Sequence, residues 1–361
     1  MRRVVWAASA LALTAGGALA GGIERTNQSV GILFEKGRYA ELSFGHFAPD
    51  VSGTAFGQAS GDMAGDWTGV SLAYKQALSD TLDLAIIFDQ PIGANVDYPA
   101  TGTYALRGTT AEVDANAITA LLRYKLPSNV SLIGGVRALR TKGVVSIPLS
   151  APLPPITYDM QSSTETDFGY VLGIAWEKPE IAARVALTYN SAITHDFTAT
   201  ETSPLGANRV SGFETEVPQS LNLEFQTGVA ADTLLFGSIR WVDWSAFKIA
   251  PDDYATVLGG SLVDYKSDVT TYTLGLGRKF NETWSGAVIL GYEDPNGDIT
   301  GNLGPHDGMK SVGLAATYTR DNLKITGGLR YVEIGDATTR IGAEFADNSG
   351  WGAGIRIGMS F

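Results

Sequence analysis

Cysteine is absent from all 361 residues. Disulfides and thiolate metal sites are therefore excluded, although the compartment stays open. Histidine is nearly as scarce: His46, His195 and His306 lie far apart and show no ligand spacing. Positive charge is in deficit, with 26 Lys and Arg against 38 Asp and Glu. A net charge of −12 excludes the basic footprint that nucleic acid requires. No run of ~18 apolar residues follows residue 20, so a helical membrane span is excluded. Long stretches of 3.6-residue periodicity are missing too.

What is present begins with an export signal. Arg2 and Arg3 precede an apolar run from Val4 to Ala15, and Ala18-Leu19-Ala20 forms an A-x-A cleavage signal. The apolar run is too short to span a bilayer, so residues 1–20 read as a removed signal peptide. Their loss takes the net charge from −12 to −14, because two arginines leave and no acid does.

The dominant period is two. At the C-terminus, Trp351, Ala353, Ile355, Ile357, Met359 and Phe361 alternate with glycines, Arg356 and Ser360. Similar alternation runs over 117–124, 167–176, 183–190, 311–318 and 323–331. Segments of ~10 alternating residues suit tilted membrane strands. Short turns lie near Ser79, Ser128, Pro179, Asp232, Asn281 and Asp321. Long polar loops lie at 50–65, 92–112, 146–163, 197–213, 248–266, 295–308 and 335–349. Short and long connections alternate strictly, which predicts seven hairpins and fourteen strands.

The expected fold is all-β: a 14-stranded antiparallel transmembrane β-barrel over 38–361, with a short N-terminal plug at 21–37. Closure is needed because an open edge in lipid leaves backbone groups unpaired at several kcal/mol each. Trp67, Tyr124, Trp176, Tyr189, Trp284, Tyr318 and Trp351 are placed in interfacial girdles. A secreted soluble sandwich could also use period-two strands, but the turn asymmetry favours the membrane barrel. Fourteen strands enclose more space than side chains fill. Leu121, Val171, Ile289 and Val332 on the inner faces favour a greasy solute over a water-filled porin.

Several stretches resemble the FadL-type family of outer-membrane transporters for long-chain fatty acids and other hydrophobic compounds. They are SVGILFEKGRYAELSFGHFAPDVSG (29–53), FDQPIGANVDYP (88–99), VPQSLNLEF and LLFGSIRWVDWSAF (217–247), and LGLGRKFNETWSGAVILGYEDP (274–295). The resemblance covers the mature chain. It implies capture of a ligand outside, passage to a lumen site, and sideways exit at a kink in the third strand. The matching stretch is Gln90, Pro91, Ile92, Gly93 and Ala94. Pro91 cannot donate to a ladder and Gly93 lacks a side chain, although Pro91 would also simply end a strand at the rim. The Asn-Pro-Ala turn of the family's longer plug is missing here, so gating by plug movement is not carried over.

A fatty carboxylate in an apolar lumen needs a cation. Arg137, Arg140, Lys142 and Lys266 lie where the family places basic contacts, although ordinary pairing with the many acids is the plainer reading. Phe34, Phe44, Phe88, Ile92 and Phe247 are the apolar candidates. Trp351, Ile355, Ile357, Met359 and Phe361 resemble the C-terminal signal read by the barrel-assembly machinery. The oxygen-bearing run Asp294, Asn296, Asp298, Thr300, Asn302 has Ile299 and Pro305 where a calcium loop needs Gly and Glu, so no metal and no cofactor is expected. A lipid hydrolase would need a base, for which His46 is the mid-barrel candidate, but no nucleophile motif accompanies it. The expected protein is a non-enzymatic, monomeric channel. Its partners are a fatty acid or other hydrophobic molecule, outer-membrane lipid and lipopolysaccharide, and no nucleic acid. The alternative is a non-specific aqueous porin.

Overall fold

A computed structural model describes residues 22–361; the expected signal segment lies outside them. Fourteen wall strands run in chain order: β1 (Tyr39–Asp50), β2 (Trp67–Ala77), β3 in two pieces (Leu82–Asp89 and Gly93–Asp97), β4 (Thr110–Lys125), β5 (Val130–Pro148), β6 (Glu165–Lys178), β7 (Ala183–Asn190), β8 (Ser220–Ala230), β9 (Thr233–Val242), β10 (Val269–Lys279), β11 (Trp284–Glu293), β12 (Met309–Arg320), β13 (Leu323–Ile334) and β14 (Asn348–Ser360). Each pairs antiparallel with its neighbours. The last closes on the first, from Tyr39↔Ser360 to Asp50↔Ser349. The fold is therefore the closed 14-stranded barrel that alternation predicts.

The pleat explains the two faces. Successive side chains point to opposite sides, so Phe168, Tyr170, Leu172, Ile174 and Trp176 all project outward, with Phe168 75% exposed. Leu314, Leu329 and Trp351 do the same on β12, β13 and β14. Apolar exposure around a whole closed wall is satisfied by lipid rather than by water. Inward, Leu121, Val171 and Val332 are buried. Aromatic pairs such as Trp284–Tyr318 meet edge-to-face at a centroid distance of 5.2 Å on the outside. Trp67 departs from the expected girdle: it pairs with inward Phe47 across the β1–β2 ladder and turns into the barrel.

The six short turns fall where expected, and all seven long connections leave the opposite rim. The stretch 197–213 is not an irregular loop. It forms a hairpin, Ile193–Ser203 with Gly206–Val217, that continues the wall outward. His195, Phe197 and Ala199 face in and are buried, while Thr194, Asp196 and Thr198 face out. Its polar outer face hides the strand from a reading based on hydropathy.

Residues 22–38 run inside the barrel. A short 3-10 turn, Gly31–Phe34, buries Ile32 and Leu33. With Val30 they pack on inward Ala73, Ala85, Leu121 and Val171. Outside the wall ladder, the loops form their own apolar core, in which Tyr98 and Tyr104 stack at 5.5 Å. Glu201 organises that cap although it is fully buried. Its carboxylate accepts from Tyr158 Oη at 2.9 Å, Ser211 Oγ at 2.5 Å and the Asp253 N–H at 3.1 Å.

Candidate functional site

The lumen is divided by height into an apolar chamber above and a charged floor below. The upper chamber has a cavity volume of ≈ 80 Å³, several times the ~10–15 Å³ that one water needs. Ile23, Ile92, Val96, Phe197, Phe213 and Phe247 line it. Phe197 and Phe213 stack at 5.3 Å across the loop hairpin, and Phe247 packs on Trp244 and Tyr265. Burial pushes the Tyr265 phenol well above its usual range, which keeps it neutral.

The few polar side chains of this chamber already have partners. His195 Nδ1 lies 2.7 Å from Asp167 Oδ2, and its Nε2 lies 3.2 Å from Thr141 Oγ1. Thr215 Oγ1 donates to the Lys248 carbonyl at 3.0 Å. Thr141, His195 and Asp167 stand in the order of a nucleophile, a base and its orienting acid. Thr141, however, lies within a strand whose backbone is paired on both sides. The nearby Gly143 N–H is taken by Ser162 Oγ at 2.8 Å. Neither of these backbone groups is thus free to hold the oxyanion that acyl transfer needs. The triad thus reads as a satisfied polar brace.

The floor is built where the plug meets the wall. Glu24 accepts from Arg240 Nε at 2.9 Å and Nη2 at 2.5 Å, both side chains being buried. Thr26 donates to Asp89 at 2.8 Å and Ser29 to Glu224 at 2.5 Å. Arg137 bonds Gln28, Asn190 at 2.9 Å and Thr119 at 3.2 Å. Below, Lys75 pairs with Asp83 at 3.0 Å, and Arg123 pairs with Glu177. Such groups are stable in a low-dielectric lumen only because each is paired.

Beside the chamber the wall is interrupted. The β2–β3 ladder stops at Leu72↔Phe88, and β3 breaks over 90–92. Across β4, Asp89 faces Ala117 but Gly93 faces Asp114. Four steps along β3 thus match three along β4. One extra residue bends the strand and swaps its faces, as a bulge does. The β2 edge above Leu72 is left without β3. Gln90 spans the lower end, its Oε1 accepting the Val70 N–H at 3.1 Å. The upper end is closed by the Gly65 N–H on the Asn95 carbonyl at 3.0 Å. Between Asp66 and Val70 this opens roughly 13 Å of strand edge, at ~3.3 Å per residue. A second cavity of ≈ 70 Å³ lies directly behind, sharing Ile23, Ala94, Val96 and Tyr265 with the first.

The candidate residues separate accordingly. Phe247 and Ile92 line the upper chamber. Arg137 points into the lumen but serves the floor, where three of its five N–H donors go to Gln28, Asn190 and Thr119 and where it lines a separate cavity of ≈ 80 Å³ between plug and wall. Phe34 lies in the plug, with the Arg123 and Arg184 guanidinium carbons each 4.3 Å from its ring centre. Four expectations are overturned by strand parity. Phe44 is outward and 42% exposed. Phe88 sits opposite outward Ile118. Arg140 is exposed on the outer face of β5. Lys142 shares that face and pairs with Asp114 at 3.1 Å. Lys266 is a loop side chain on Asp264 at 2.5 Å. His46 also faces outward, with Nδ1 3.0 Å from Thr68 Oγ1, so it is no lumen base. Of the three histidines, His195 and His306 are the two that are buried. The period-two run from Ile193 was the signal that could have found His195.

No protein-family model matches the chain, and no curated sequence matches it. Solved structures do. A FadL homologue from Pseudomonas aeruginosa superposes with a TM-score of 0.78 at 16% identity, over 96% of each chain. The toluene transporter TodX of Pseudomonas putida gives 0.69 at 14%, covering 96% of this chain and 97% of that one. The toluene transporter TbuX of Ralstonia pickettii gives 0.61 at 14%, over 91% and 90%. The chain has their fold. At these identities the likeness extends to architecture and not to chemistry.

Proposed function

We propose that the chain is a FadL-type passive channel of a bacterial outer membrane that admits uncharged hydrophobic compounds. One observation carries this reading: an apolar chamber stands on a charged floor, and the wall is interrupted beside the chamber rather than below it. A greasy solute gains by entering the chamber at ~25 cal/mol per Å² of apolar surface removed from water. Going further down would bring it against paired charges that have no use for it. Leaving through the gap over Gln90 to Ala94 returns it to hydrocarbon. The solved channels of like fold, two of which are named toluene transporters, agree with such a solute.

An uncharged solute fits the chamber better than a fatty carboxylate. Of the basic candidates only Lys142 borders the chamber, and it is paired with Asp114 at 3.1 Å, so a carboxylate there would have to compete with that acid for it. The wall faces outer-membrane lipid and lipopolysaccharide as a monomer. Phe361 and the outward row from Trp351 to Met359 address the chain to the barrel-assembly machinery. Proteoliposomes test the reading. Toluene uptake with sugars excluded is expected; rapid sugar flux would establish the aqueous porin instead. Oleate uptake matching that of toluene would overturn the preference for uncharged solutes.

A further inference from the structure

The gap in the wall is filled from inside by the plug. Residues 23–26 lie along the β3 break as a short added strand. The Gly93 N–H donates to the Ile23 carbonyl at 2.9 Å, the Arg25 N–H donates to the Pro91 carbonyl at 2.8 Å, and Glu24 bridges Ile92 antiparallel. The plug thus satisfies part of the edge that β2 leaves open. Arg25 then enters the gap itself. Its guanidinium carbon is 4.9 Å from the Trp67 ring centre on the β2 side. On the β3 side it occupies the place of a missing side chain: a Cβ on Gly93 would come within 2.4 Å of it. No carboxylate lies within ion-pair distance of Arg25 among the described residues, and its buried Nε has no hydrogen-bond partner. Asp114, opposite Gly93, is turned to Lys142 at 3.1 Å. What holds Arg25 in the gap is one aromatic face, one glycine and the longer-range attraction of Asp114 and Glu112.

We propose that Arg25 is the shutter of the lateral gap and selects aromatic solutes for exit. This rests on the sideways exit proposed above. A guanidinium is attracted to the face of any π system, not to Trp67 in particular. An aromatic ring arriving in the second cavity, which Trp67 and Arg25 both line, offers the same face. It takes the place of Trp67 on the guanidinium, and the shutter swings with the solute. A saturated ring of the same size offers no such face and must displace Arg25 without compensation.

The test compares toluene with methylcyclohexane, which match in size and differ in π electrons. Initial uptake into proteoliposomes is measured with the whole protein, wild-type, Arg25→Met and Arg25→Lys. Heat-modified gel mobility confirms that each barrel is folded. The expected wild-type preference for toluene is about 2- to 30-fold, the range that a cation–π contact supplies. In Arg25→Met the preference falls toward 1 because methylcyclohexane enters faster. Arg25→Lys keeps most of the preference, since the cation stays. An unchanged preference in Arg25→Met overturns the proposal, as does a wild-type preference near 1. Because the chain has no cysteine, cysteines at Thr68 and Asn95 can be joined across the gap by a bifunctional thiol reagent. If joining them leaves uptake of both solutes intact, exit is not sideways and the parent reading fails. If joining blocks uptake while Arg25→Met changes nothing, only the shutter fails.

Discussion

The buried pair Arg240–Glu24 is the strongest single tether of the plug, and Glu24→Ala removes it. Glu24 accepts two hydrogen bonds from Arg240, at 2.9 and 2.5 Å, while Arg240 Nη1 has no partner even in the intact pair. Deleting the acid leaves a buried guanidinium without its hydrogen-bonded counter-charge. Breaking such a pair costs ~3–5 kcal/mol. At ~1.4 kcal/mol per factor of ten, that is about two to three and a half orders of magnitude in the docking equilibrium. The tethers from Thr26, Gln28 and Ser29 are single hydrogen bonds to charged groups, ~1.5–3 kcal/mol net each. The plug, still held by buried Val30, Ile32 and Leu33 and by its pairing with β3, should therefore leave its seat more often than in the wild type. Planar-bilayer recording reads this directly: a quiet wild-type trace and discrete ion-conducting openings in Glu24→Ala. The double variant Glu24→Ala/Arg240→Ala removes the stranded charge and should conduct less than the single one. A Glu24→Ala trace as quiet as wild type would refute the reasoning, because the floor would then not depend on this pair.

Phe247→Ala should cost ~3–5 kcal/mol of stability and weaken toluene binding, read by thermal unfolding and by titration of intrinsic fluorescence. The buried His306 has its pKa lowered mainly by desolvation, against a backbone hydrogen bond to Gly22 and nearby Asp307. It is neutral in both folded and unfolded chains above pH ~6.5. Below that, the unfolded chain takes a proton that the folded loop resists, so stability falls as pH drops from ~6.5 toward the folded value. Hydrogen exchange over 295–308 should rise between pH 6.5 and 5, and His306→Gln should abolish the change. Deleting Phe361, whose ring stacks on Tyr74 at 6.5 Å, should lower the yield of assembled barrel without altering which solutes pass. Normal assembly after deletion would count against an address at that residue.

The wall was legible because its rule is local. Period-two alternation and the contrast of short and long connections need no tertiary information. The break at Pro91 was legible for the same reason, from one proline and one glycine. The site was less so. Whether Phe44, Phe88 or Arg140 faces in or out depends on strand parity, and a bulge at 90–92 that resets parity cannot be placed from sequence alone. Trp67 was misplaced among the girdle aromatics because its face is set by its pairing with Phe47. The division of the lumen into an apolar chamber and a charged floor was invisible along the chain. Glu24 meets Arg240, and Gln28 meets Arg137, across more than 100 residues. Arg25 gave no local signal at all, since its partners are a ring 42 positions away and a missing side chain at 93.

The path of the solute is the central claim, and photolabelling reads it most directly. An aromatic hydrocarbon bearing a small diazirine is illuminated in proteoliposomes during uptake, and adducts are mapped by mass spectrometry. Labels are predicted on Phe197 and Phe247 of the chamber and on Trp67 and Asn95 beside the gap, with none on Gln28, Asp89 or Arg137 of the floor. Adducts running down through Gln28 and Arg137, with the gap residues unlabelled, would contradict sideways exit.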